Sequence, residues 1–198
     1  MRTRVLLWAV TLAPLLIAAV GEPPPALVSF PSDRTQIASP DGKYSIVNVD
    51  DDSTDAHHTL YLEDRIANSR KKLLSYGRHV DVLWNPDSTA FAIDDFVGSD
   101  FAECKVYSIR EDVLPVDVAT LVTDRELADL QKNHHVYFAV VRWLSPKTLK
   151  VKMWGYGDAH PSGFTRFFIV NLSQAPKRRA SPKEQPPRCP RFTPHLRR

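Results

Sequence analysis

Acidic and histidine side chains gather at three places in the chain. Asp50, Asp51, Asp52, Asp55, His57 and His58 form one group; Asp94, Asp95, Asp100 and Glu103 a second; Asp158 and His160 a third. Hard carboxylate oxygens suit calcium or magnesium, and an added imidazole moves the preference toward zinc or manganese. Brought together, these groups would make a divalent metal site or an acidic patch for a basic partner. Kept apart, they are solvated turns, the ordinary fate of acidic loop tips. Asp50-Asp51-Asp52 does not open an EF-hand loop, because the required Gly and closing Glu are missing.

Other candidates are weaker. His134 and His135 are adjacent, and neighbours on a strand point to opposite faces, so one site does not use both. His79 and Asp81 have the two-residue spacing that puts a base and its orienter on one strand face. Tyr44, Trp84, Trp143, Trp154 and Tyr156 would suit a sugar or peptide groove, but in a β protein such rings belong first to the core. The sequence contains no Gly-x-Ser-x-Gly, no His-Glu-x-x-His, no phosphate loop and no dinucleotide fingerprint. Enzymatic function is therefore the second expectation, in the form of a metal-dependent enzyme or a metal-stabilised protein. No cofactor is expected beyond that divalent metal.

The elements that position these groups repeat. Ser39-Pro40-Asp41-Gly42, Asn85-Pro86-Asp87-Ser88 and Ser145-Pro146-Lys147 each lead into a β-branched run, and 21 positions beyond the three prolines lie Tyr61, Tyr107 and Phe167, again within β-rich runs. Proline fixes φ at the first corner of a turn, aspartate bonds its own backbone, and glycine accepts positive φ. Repeats are expected over about 35–76, 79–120 and 136–171, with strands over 44–49, 59–62, 72–76, 116–119 and 165–171 among them. The three acidic groups fall in the loops between the second and third strands, the last spanning 155–163. Between the second and third repeats, Thr123 and Glu126 form a capping box and Val122 with Leu127 a hydrophobic staple. This predicts one short inserted helix over 123–133.

A turn followed by a strand, recurring after 46 residues and then after 60, with the inserted helix at the place of the extra 14, is the pattern of β-propeller blades. The Ser39-Pro40-Asp41-Gly42 turn resembles the repeat of WD-repeat-like and Tol-system propellers, whose blades carry Trp-Ser-Pro-Asp-Gly there. Trp84-Asn85-Pro86-Asp87-Ser88 keeps most of that motif, and Ser145-Pro146-Lys147 keeps little. The resemblance covers 35–171 and implies an all-β fold and an interaction platform rather than one chemistry. Propellers have at least four blades, and only three units are present. An incomplete propeller, a related barrel or sandwich, and self-association that covers exposed edges are the alternatives.

The flanks differ from this domain, taken as 35–174. Arg2 and Arg4 precede an apolar run from Val5 to Val20, and Ala19-Val20-Gly21 offers small residues for cleavage, so residues 1–21 read as a secretory signal. Residues 22–34 are a Pro-rich spacer with an edge strand near 26–30. Residues 175–198 hold six prolines and eight Lys or Arg against one acid, and are expected to be a disordered basic tail. The chain carries +3, of which the first 21 residues hold +2 and residues 175–198 hold +7, which leaves −6 on residues 22–174. In an exported protein, Cys104 and Cys189 are candidates for a disulfide tying tail to core. These features predict a periplasmic or secreted, non-enzymatic module of the cell envelope. Its partner is expected to be another protein, with no nucleic acid and no membrane span after cleavage.

Overall fold

The computed structural model describes residues 26–51, 57–109, 114–122, 127–130, 132–133 and 135–175. The fold is all-β. In chain order the strands are β1 (Val28–Phe30), β2 (Gln36–Ala38), β3 (Tyr44–Asp50), β4 (His58–Asp64), β5 (Ser69–Tyr76), β6 (Val80–Trp84), β7 (Ala90–Asp95), β8 (Phe101–Ser108), β9 (Val116–Asp117), β10 (His135–Ser145), β11 (Thr148–Gly157) and β12 (His160–Asn171). Strands β2-β3-β4-β5 form one four-stranded sheet; the other sheet runs β1-β6-β7-β8-β10-β11-β12, with β9 also on β8. Both sheets are open. All neighbours are antiparallel except β8 and β10, which pair in parallel only at Phe101–Val136 and Ala102–Tyr137. The chain thus makes three antiparallel meanders: β2–β5, then β6–β9 with β1 on its edge, then β10–β12.

Alternation along the middle meander explains how the three stack. Val80, Val82, Trp84, Phe91 and Ile93 face the first meander and are buried with Ile46, Leu60, Leu62 and Tyr76, while β1 adds Val28 and Phe30. Leu83, Ala90, Ala92, Cys104 and Val106 point the other way, against Phe138, Val140, Leu149, Val151, Met153, Phe164 and Val170 of the third. A strand buried on both faces reads as a continuous apolar run rather than an alternating one, and Ala90-Phe91-Ala92-Ile93 is such a run. Burying each large apolar side chain stabilises the fold by roughly 1.5–3 kcal/mol relative to exposure.

The turns share their chemistry. In the first, the Gly42 N–H donates to Ser39 O at 2.9 Å, the Lys43 N–H to the Asp41 carboxylate at 3.1 Å and the Tyr44 N–H to Ser39 Oγ at 3.1 Å. In the second, the Ser88 N–H donates to Asn85 O at 3.2 Å, the Thr89 N–H to the Asp87 carboxylate at 3.1 Å and the Ala90 N–H to Asn85 Oδ1 at 3.1 Å. Gly42 and Ser88 hold the same left-handed position, with φ of 70° and 61°. The third turn is a tight hairpin in which Ser145 pairs with Thr148. Adjacent turns are also tied together. The Asp41 N–H donates to Ser88 Oγ at 2.9 Å, and the Asn85 amide to Pro146 O at 3.4 Å.

Several expectations need correction. The loop expected over 155–163 is mostly strand, because β11 and β12 continue to a two-residue turn at Asp158-Ala159. Gly155 lets β10 follow alongside: a Cβ there would lie 2.0 Å from the His135 carbonyl oxygen, so only glycine lets β10 and β11 run on in register. Of the inserted helix, the structure describes one turn at Leu127–Leu130; Thr123 and Glu126, its expected cap, lie outside the described residues. The strand expected over 116–119 ends at Asp117, whose side chain accepts from the Ala119 N–H and caps a 3-10 turn over Val118–Leu121. The signal over 1–21 lies outside the described residues, as do the tail beyond Ala175 and Cys189.

Candidate functional site

Six of the predicted acidic and histidine residues, Asp50, His58, Asp94, Asp95, Glu103 and His160, lie in strands rather than in loops. Asp50 closes β3 and His58 opens β4, so the ladder places them opposite each other, with His58 Nδ1 2.7 Å from Asp50 Oδ1. The Asn48 amide also donates to Asp50 at 2.7 Å, and the Tyr76 hydroxyl donates to Asn48 Oδ1 at 2.6 Å. The His58 ring, with help from Asn48, holds the Asp50 carboxyl below its usual range. Asp51 donates its N–H to His57 O at 2.6 Å; Asp52 and Asp55 lie outside the described residues.

In the second group, Asp95 and Glu103 face each other across β7 and β8. Burial raises the Asp95 carboxyl, and the Glu103 charge adds to the rise. Lys105 pairs with Glu103. Asp100 sits 3.6 Å from His135 Nδ1, and the His135 ring stacks on Tyr156 at 4.1 Å. In the third group, Asp158 lies in the β11–β12 turn, and His160 Nδ1 is 3.1 Å from the Asn133 amide. The groups are therefore divided into pairs. Among the described residues, no three His, Cys, Asp or Glu side chains are arranged to hold a metal ion. Neighbouring meanders still sense each other here: burial raises the Tyr76 hydroxyl, and Asp50 and Asp95 both add to that rise.

Asp94 departs furthest from a loop acid. It lies on the β7 face that carries Ala90 and Ala92, only 1% exposed, opposite Asp81 on one side and Cys104 on the other. The Val140 N–H of β10 donates to both its oxygens, at 2.9 and 3.0 Å, and the Cys104 thiol bonds it as well. Burial pushes its carboxyl up to about 8, against the pull of those two donors. Burial first, then the Asp94 charge, pushes the Cys104 thiol well up. Asp94 is thus a clasp between the middle and third meanders.

Trp154 and Tyr156, named from the sequence as groove candidates, belong to a larger exposed surface, the outward face of the third meander, whose Phe167 and Ile169 sequence reasoning did not count among those candidates. Cross-strand register places Tyr137, Trp154 and Thr165 in one row, Ala139, Lys152 and Phe167 in the next, and Arg142, Lys150 and Ile169 in a third. Phe167 is 55% exposed and Ile169 64%, far from what a covered sheet face would give. Lys150 Nζ stands 4.7 Å over the Phe167 ring and Lys152 Nζ 4.6 Å over Trp154. From His135 to Asn171 there are five Lys or Arg and one acid, Asp158, a balance of +4. With −6 on residues 22–174, the remainder of that span carries −10. The signal was present in Thr165-Arg166-Phe167-Phe168-Ile169-Val170, apolar on both faces of a strand that ends a sheet.

The sheet edges differ as well. β1 and β2 are three residues each, and β5 displays exposed Arg70, Lys71 and Lys72, devices that discourage pairing. β12 has twelve residues with Arg166 as its one Lys or Arg, and among the described residues no strand pairs with its outer edge. No protein-family model matches the chain, and no curated protein matches it.

Proposed function

We propose that this protein is an exported, non-enzymatic binding module of the cell envelope, which engages a protein partner through the third meander. The observation that carries this reading is the aromatic and cationic face of β10–β12, where Phe167 and Ile169 stand exposed beside Lys152 and Lys150, and Tyr156 stands exposed further along β11. Exposed apolar area rimmed by charge marks an interaction surface. The three meanders are read as blade-like repeats of an open, propeller-like assembly. Their matching turns and face-to-face packing support this, and among the described residues no further sheet packs on the outward face of the last meander. The paired, separately engaged acids and histidines fit structural and solvated roles better than a catalytic centre. The apolar run at Val5–Val20 supports export.

The test is site-specific photo-crosslinking in the full chain, with the reactive group placed at Phe167, at Tyr156, or at Lys72 on the first meander as a control. One discrete protein adduct from the 167 and 156 positions, absent from 72, is expected. Adducts of equal pattern at all three positions, or none, would overturn the proposal.

A further inference from the structure

We infer that β12 accepts an extended, acidic segment of that partner as an added strand. This rests on the binding reading above and goes further by naming the mode and the chemistry. A sheet edge offers a row of backbone N–H and C=O groups, and strand addition uses them for affinity while alternate side chains supply specificity. Of the terminal strands, β12 alone combines length with few charges, as its twelve residues and single Arg show. A strand laid beside it would place every second side chain next to Thr165, Phe167 and Ile169, within reach of Lys150 and Lys152 in the neighbouring strand. The +4 of residues 135–171, set in a domain otherwise strongly acidic, selects an acidic occupant. The chain's own residues 176–198 are a poor occupant: they are basic, and their six prolines cannot donate to a ladder.

The probe is a fluorescein-labelled peptide of about twelve residues alternating Glu and Val, titrated with the full chain and followed by anisotropy. Three comparisons accompany it: a Glu-Pro peptide of equal charge that cannot form a ladder, a Lys-Val peptide, and the Lys150→Glu/Lys152→Glu variant. The Glu-Val peptide is expected to bind, with affinity falling about tenfold or more in each comparison. Protection of β12 amides from hydrogen exchange should accompany binding. Equal binding of the Glu-Pro peptide would overturn strand addition, and indifference to the lysine reversals would overturn the charge argument. So would a stable dimer in sedimentation that Ile169→Lys dissolves, since a second copy would then hold the edge. Binding to phosphatidylglycerol vesicles with none to the peptide would also sink it. A discrete crosslink at position 167 together with failure of the Glu-Val peptide would reject this inference while leaving the binding module standing.

Discussion

Replacing Asp94 by Asn should change how stability responds to pH. In the folded protein the Asp94 carboxyl is pushed up to about 8 from the ordinary 3.8. Between those values the folded state holds a proton that the unfolded state has released. Stability therefore falls as pH rises through this window, at about 1.4 kcal/mol per pH unit for one proton. At 1% exposure there is little solvent to screen the effect. From about pH 5 to about pH 7 the loss amounts to about 2–3 kcal/mol. Asparagine has nearly the same shape, keeps an oxygen for the Val140 N–H, and has no proton to lose. Urea unfolding of both proteins at several pH values isolates the effect, because every other titrating group is common to the two. The stability of Asp94→Asn relative to the parent should rise by about 2–3 kcal/mol from about pH 5 to about pH 7. Parallel curves for the two proteins would show that Asp94 is ionised in the folded state and would refute the upward push that burial gives its carboxyl.

Other outcomes follow from the packing. Gly155→Ala should destabilise by about 3 kcal/mol or more, since a Cβ 2.0 Å from the His135 carbonyl forces β10 and β11 apart; thermal melts would show it, and a loss under about 1 kcal/mol would contradict the close approach. Asn85→Ala should lose about 1–3 kcal/mol in urea melts by leaving the buried Ala90 N–H without its acceptor and cutting the link to Pro146. Trp84 is fully buried with no acceptor for its indole N–H among the described residues, so Trp84→Phe should cost much less than the roughly 3–5 kcal/mol expected of Trp84→Ala. Equal losses for those two variants would place the importance of Trp84 outside its apolar volume.

The fold was legible where its signals are local. Pro40-Asp41-Gly42 and Pro86-Asp87-Ser88 announce turns through backbone preferences alone, and β-branched runs such as Tyr44–Val49 identify strands without knowledge of neighbours. Tertiary partners decided what was misjudged. Acids near a repeat's centre look like loop tips, yet Asp94 is drawn into the interior because β10 presents the Val140 N–H to it. Gly155 lets β10 keep pairing with β11 into the stretch expected to be a loop, a requirement set by the His135 carbonyl that no turn signal encodes. Lys150 and Lys152 alternate visibly with apolar residues, but whether Phe167 and Ile169 are covered depends on what lies beyond β12.

Both faces of the middle meander pack against an outer meander, and this bears on the order in which the chain can unfold. The first meander touches it through one interface. The third is joined to it by that kind of interface plus two residue pairs of parallel ladder and the Asp94 clasp. Either outer layer can peel away while the other two remain packed; the centre cannot open without losing both. Amide exchange should therefore be slowest at Val82, Leu83, Ala92 and Ile93 and faster in both flanking layers. An added strand at β12 would slow the opening of the layer it touches first, and would reach β3 only through whatever slow global opening the two ends share.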